Sequence, residues 1–76
     1  MKVAVDDPFL ELLAQRGRKV EVFLDGIRQD SVVSADEEAG VVVRYARKDN
    51  GDFFVDGGSL RVETKRGRVL IEIERL

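Results

Sequence analysis

The stretch Val32–Phe54, VVSADEEAGVVVRYARKDNGDFF, decides the fold, because it can be read either as a carboxylate site or as a hairpin. Asp36, Glu37 and Glu38 are the densest acidic cluster in the chain. On both sides of them apolar and polar residues alternate with period two, the mark of a strand. Gly40 follows the acids and accepts the positive φ that closes a turn. With Asp36 to Gly40 as the loop, Ala35 faces Val41, Val33 faces Val43 and Ser31 faces Tyr45. The carboxylates then sit at a hairpin tip. Calcium needs about six to eight converging oxygens in an alternating pattern, which neither SADEEAG nor KDNGD supplies.

Upstream, Arg18 to Leu24 and Ile27 to Ala35 form strands joined by an Asp25-Gly26 turn. That turn sets Val20, Val22 and Leu24 on one face with Ile27, Gln29 and Ser31. Either the strand begins beyond the core's edge or a bulge lies near Val32-Val33. Downstream come strands at Val41 to Arg47, Leu60 to Thr64 and Arg68 to Arg75, with a short one at Phe53 to Val55. A two-residue turn at Arg66-Gly67 sets Thr64 against Val69, Val62 against Ile71 and Leu60 against Ile73. No connection is long enough for a parallel crossover, so the sheet is antiparallel. The one helix signal is DDPFLELLAQRG, with Asp7 as N-cap, Pro8 at the first helical position and Gly17 ending it. Phe9, Leu12 and Leu13, with Leu10 beside them, make one apolar stripe. So short a helix must lie on something. The expected fold is α+β: a single domain over residues 1–76, with an N-terminal helix from Asp7 to Arg16 on a five- or six-stranded antiparallel meander, open or curled into a partly closed small barrel.

Composition narrows the chemistry. The chain has 76 residues, no histidine and no cysteine, so disulfides, thiolate metal sites and the commonest general base are absent. Ser31, Ser34 and Ser59 have no base to activate them. Neither catalysis nor a cofactor is expected. Charged residues are 37% of the chain, 13 basic and 15 acidic, and a net charge of −2 gives no global pull on nucleic acid or anionic membrane. No apolar run approaches a membrane span, and MKVAVDDPF has no signal-peptide apolar region, so a cytoplasmic setting is expected.

Two surfaces stand out. Phe23, Val32, Val42 and Leu70 point away from the first core set, among Arg28, Arg44, Glu72 and Glu74. An apolar strip rimmed by charge suits a protein interface, carried by Phe23, Val32, Val42, Arg44 and Leu70. In a meander, Arg47, Lys48, Lys65 and Arg66 gather at one end, and Asp36, Glu37, Glu38 and Asp56 at the other. The basic end is the candidate for nucleic acid, although Phe53 and Phe54 make a thin stacking platform.

VEVFLDG followed by ADEEAGVVVRY, a strand, a DG turn and an acidic hairpin leading into V-x-R-Y, resembles small uncharacterised proteins of tailed bacteriophages and prophages. The resemblance covers Val20 to Tyr45 and implies a virion or accessory protein, with no catalytic residues to carry over. The expected function is therefore a non-enzymatic protein-binding or assembly module that associates with copies of itself. The alternative is a small β-barrel that binds nucleic acid through Arg47, Lys48, Lys65 and Arg66.

Overall fold

A computed structural model describes residues 1–75 and has the α+β architecture, with antiparallel strand pairing throughout. The elements are β1 (Lys2–Ala4), α1 (Pro8–Gln15), β2 (Arg18–Leu24), β3 (Ile27–Gln29), β4 (Val32–Asp36), β5 (Val41–Tyr45), β6 (Val55–Asp56), β7 (Ser59–Leu60), β8 (Val62–Arg66) and β9 (Val69–Arg75). They form a four-stranded sheet in the order β1-β4-β5-β8, a three-stranded sheet β3-β2-β9, and the small hairpin β6-β7. Both larger sheets feed one core, made of Val3, Ala35 and Val42 from the first and Val22, Leu24, Val69 and Ile71 from the second. The chain passes between the sheets once through α1, from β1 to β2, and twice more at corners, as strands in packed sheets do where a bend or bulge turns them.

The first corner breaks the strand expected from Ile27 to Ala35. Ser31 takes φ 55°, and the β4–β5 register shifts between Val32 and Ser34, so the bulge is the correct one of the two alternatives. The second corner replaces the expected Arg66-Gly67 hairpin. β8 pairs with β5, and β9 pairs with β2, matching Val20 to Ile73, Val22 to Ile71 and Leu24 to Val69. A tight hairpin turn of the favoured type needs positive φ, and Gly67 is not among the glycines that have it. Instead, Asp25 fixes the corner: its amide donates to the Arg68 carbonyl at 2.8 Å and its Oδ1 accepts the Arg68 amide at 2.9 Å. Because β8 and β9 lie in different sheets, the described residues do not close a barrel.

The β4–β5 hairpin forms in the expected register at its base, where Val32 pairs with Arg44 and the Tyr45 amide donates to the Ser31 carbonyl, and one residue out of it between the bulge and the tip, where Ala35 pairs with Val42 and Asp36 with Val41. The cause is the Asp36 side chain, whose Oδ1 accepts the amides of Glu38 at 3.0 Å and Ala39 at 3.1 Å. This side-chain turn makes Asp36 the last residue of the strand rather than the first of the loop. Gly40 has φ 66° as expected. A slip of one residue exchanges the two faces of a strand, and Val42 therefore points into the core.

The helix begins where the sequence indicates, with Asp7 Oδ1 accepting the Phe9 amide at 3.0 Å and Pro8 in the first turn. Its packing differs from the expected stripe. Leu10 reaches the core, whereas Phe9 and Leu12 are exposed. β1 was not foreseen; it adds Val3 to the core by pairing with Ala35.

Candidate functional site

The five residues expected to form an interface do not lie together. Val42 is 0% exposed at the centre of the core, and Val32 packs against it half-buried. Val42 is thus removed from any surface. Arg44 shares the inward face of β5 with Val42, and its guanidinium is held by Gln29 Oε1 at 2.9 Å and Asp30 Oδ1 at 3.1 Å. Its Nε is buried without a hydrogen-bond partner, 3.4 Å from Glu63 Oε1. Arg44 caps the open end of the core rather than rimming a docking strip. The five split into two groups: Val32 pairs with Arg44 across β4 and β5, beside the buried Val42, and Phe23 pairs with Leu70 across β2 and β9, with Leu70 exposed.

The same slip that buries Val42 turns Val41, Val43 and Tyr45 outward. Their partners on β8, in order, are Arg66, Thr64 and Val62. The outer face of the four-stranded sheet therefore carries an apolar strip, along Val41, Val43 and Tyr45 to the 50%-exposed Val62. Leu60 and Val55, also exposed, continue it onto the β6–β7 hairpin. Helix α1 packs on β2, in the other sheet. Sequence reading missed this face because the register alone assigns it. The signal that could have found it is Asp36 three residues before Ala39 in SADEEAG, a spacing suited to a side-chain-capped turn.

The basic residues are also divided. Lys65 and Arg66 pair with Val42 and Val41, beside the acidic hairpin tip, while Arg47 and Lys48 lie beyond the other end of β5. There the arginines are engaged: Arg47 stacks 4.2 Å from the Phe53 ring centroid and donates to Gly51 O at 2.8 Å and Ser31 Oγ at 2.9 Å. Arg61 lies 5.1 Å from the Phe54 ring and 3.2 Å from Asp56. Phe53 meets Tyr45 edge-on at 6.1 Å.

The acidic cluster is structural. Glu37 receives the Met1 ammonium on Oε1 at 2.7 Å and the Ile71 amide on Oε2 at 2.9 Å, tying β1, the hairpin tip and β9 together. The ammonium first, and then the amide, hold its carboxyl below the ordinary value. Glu21 is likewise depressed, by hydrogen bonds from Arg28 and then Lys19. Among the described residues no group of three His, Cys, Asp or Glu could hold a metal ion, and no helix is long and apolar enough to cross a membrane. A cleft of about 100 Å³ opens between α1, β1 and β2, lined by Val3, Val5, Leu10, Val20 and Val32. It is well below the size of a typical ligand pocket. No protein-family model, curated protein or solved structure matches the chain.

Proposed function

We propose that this chain is a non-catalytic association module whose working surface is the outer face and free edge of the four-stranded sheet, and that its partner is another copy of itself. One observation carries the reading: β5 and β8 present apolar side chains outward, from Val41 to the half-exposed Val62, on a sheet whose helix lies elsewhere. Chains of this length are near the limit at which one core suffices, and oligomerisation is a common remedy. A virion or phage accessory protein is the setting that the resemblance over Val20 to Tyr45 favours.

Light scattering behind a sizing column tests the reading. At tens of micromolar the chain should run as a dimer or larger species. Val62→Lys should shift it toward monomer with its strand circular dichroism intact, because that side chain lies on the surface. Val42→Glu should instead unfold the protein by burying an unpaired carboxylate. A clean monomer at high concentration overturns the reading.

A second reading rests on Arg47, Lys48 and Arg61 grouped around Phe53 and Phe54, the combination of cation and aromatic that single-stranded nucleic acid uses. It ranks below association because both arginines are already committed to aromatic faces, carbonyls and carboxylates within the loop.

A further inference from the structure

The association reading leaves open which element makes the contact, and the sheet edges answer differently when compared. β1 and β3 are three residues each, too short to hold a partner strand. The free side of β9 is obstructed at its centre, where the Ile71 amide is taken by Glu37 Oε2 at 2.9 Å. β8 is a five-residue edge, VETKR, with Thr64, Lys65 and Arg66 exposed.

The backbone of β8 has a definite orientation. The Ala46 amide donates to the Arg61 carbonyl at 2.9 Å, in line with the β5–β8 ladder. Groups of an antiparallel strand alternate in direction. Glu63 and Lys65, in step with the Arg61 carbonyl, therefore direct their main chain toward β5, while Val62, Thr64 and Arg66 direct theirs to the open side.

Resting on the association reading, we propose that β8 pairs antiparallel with β8 of a second copy, about a two-fold axis at Thr64. In that register the outward-directed residues meet one another: Thr64 opposite Thr64 and Val62 opposite Arg66, giving about six main-chain hydrogen bonds. The intervening residues then place Glu63 of each copy opposite Lys65 of the other, with Cβ atoms about 5 Å apart. VETKR is thus self-complementary in charge around its centre. A lysine on an edge strand ordinarily repels other strands; here it admits one partner and register. Pairing also joins the two outer faces, so the strips containing Val41, Val43, Tyr45 and Val62 lie on one continuous surface. Such a contact is isologous and closes at a dimer.

The test measures dimer dissociation by sedimentation equilibrium for the wild type and three variants, each checked by circular dichroism. Thr64→Pro removes an amide directed to the open edge and leaves the ladder to β5 intact, a position where proline is tolerated. It should raise the dissociation constant by about a hundredfold, given the lost hydrogen bonds and the ring in the interface. Lys65→Glu and Glu63→Lys each set like charges opposite twice, and each alone should weaken the dimer by about tenfold or more. Mixed in equal amounts, those two variants should regain a dimer of near wild-type strength, because each copy supplies the charge that the other lacks. A wild-type monomer would overturn the proposal together with the association reading. A wild-type dimer that Thr64→Pro and Lys65→Glu leave unchanged would overturn the proposal alone and direct attention to the outer face. If Glu63→Lys disturbs Arg44 and fails to fold, Thr64→Pro and Lys65→Glu decide between these outcomes. If Thr64→Pro fails, the charge pair decides.

Discussion

At the scale of single residues, two glycines with similar backbones carry different burdens. A Cβ at Gly40 would stand 2.7 Å from the Gly67 carbonyl oxygen, whereas at Gly26, with φ 83°, it would meet nothing within 4 Å. Gly40 also accepts the Gly67 amide on its own carbonyl at 3.0 Å, so the hairpin tip and the second corner are pressed backbone to backbone. Gly26→Ala should cost only the strain of a left-handed side chain, about 1 kcal/mol, and Gly40→Ala at least about 2 kcal/mol. Thermal unfolding of the two variants should differ by several degrees; equal midpoints would mean that the corner yields freely. Glu21 gives a pH test. Its side chain is 10% exposed and accepts Arg28 Nε at 2.6 Å and Lys19 Nζ at 3.0 Å, on a strand where Glu72 is its β9 partner. Its carboxyl lies below its ordinary value of 4.5 when folded, so the unfolded chain takes up the proton more readily. The stability it contributes is present above that ordinary value and is lost as pH falls through the lower, folded one. The unfolding midpoint should therefore decline below about pH 4.5 in the wild type, and Glu21→Gln should flatten that decline.

At the scale of elements, legibility followed the range of the determining interaction. The helix was readable because Asp7, Pro8 and Gly17 act on their own neighbours, and β2 with its Asp25-Gly26 turn was readable for the same reason. The partner of β9 was not. Val62–Ile71 and Val22–Ile71 are both apolar pairings on paper, and the choice was made by Asp25 reaching across the fold to Arg68. The candidate site suffered more, since an interface is defined by what the core leaves over. A single residue of register, set by the Asp36 side chain, moved Val42 inward and Val41, Val43 and Tyr45 outward. Of the expected interface, Leu70 stayed exposed while Val42 became core. The helix shows the same limit, since its spacing identified four apolar residues without ranking them. Leu10 packs on the core and Phe9 remains 41% exposed. Leu10→Ala should cost about 2 kcal/mol, while Phe9→Ser should change the denaturation midpoint little. If the two costs were reversed in urea titrations, the helix would sit rotated about its axis.

At the scale of the whole molecule, charge is spread in a way that disfavours nucleic acid. A meander would have stacked Arg47, Lys48, Lys65 and Arg66 at one end. Instead β8 runs beside β5 with Arg66 opposite Val41, so Lys65 and Arg66 flank the acidic tip, separated from Tyr45 by the length of β5, roughly 14 Å. At the far end Arg47, Lys48 and Arg61 share their loops with Asp49, Asp52 and Asp56, and Arg47 also lies 3.7 Å from Asp30. Neither end is a field of one sign, and the arginines would have to leave aromatic faces and carboxylates to meet phosphates. Anisotropy of a labelled single-stranded oligonucleotide should show no binding tighter than about 10 μM at physiological salt, where dedicated readers bind far more tightly. Lowering the salt should strengthen what binding there is only gently, with a logarithmic slope of roughly −2 for about three phosphates neutralised. Replacing Arg47, Lys48 and Arg61 with Glu should abolish it, and replacing Lys65 and Arg66 should change it little. Submicromolar binding with a slope steeper than about −3 would require Lys65 and Arg66 to act with the distant cluster on one strand. That outcome would place the nucleic acid along the outer face of β5 and β8, on the surface that association is proposed to use.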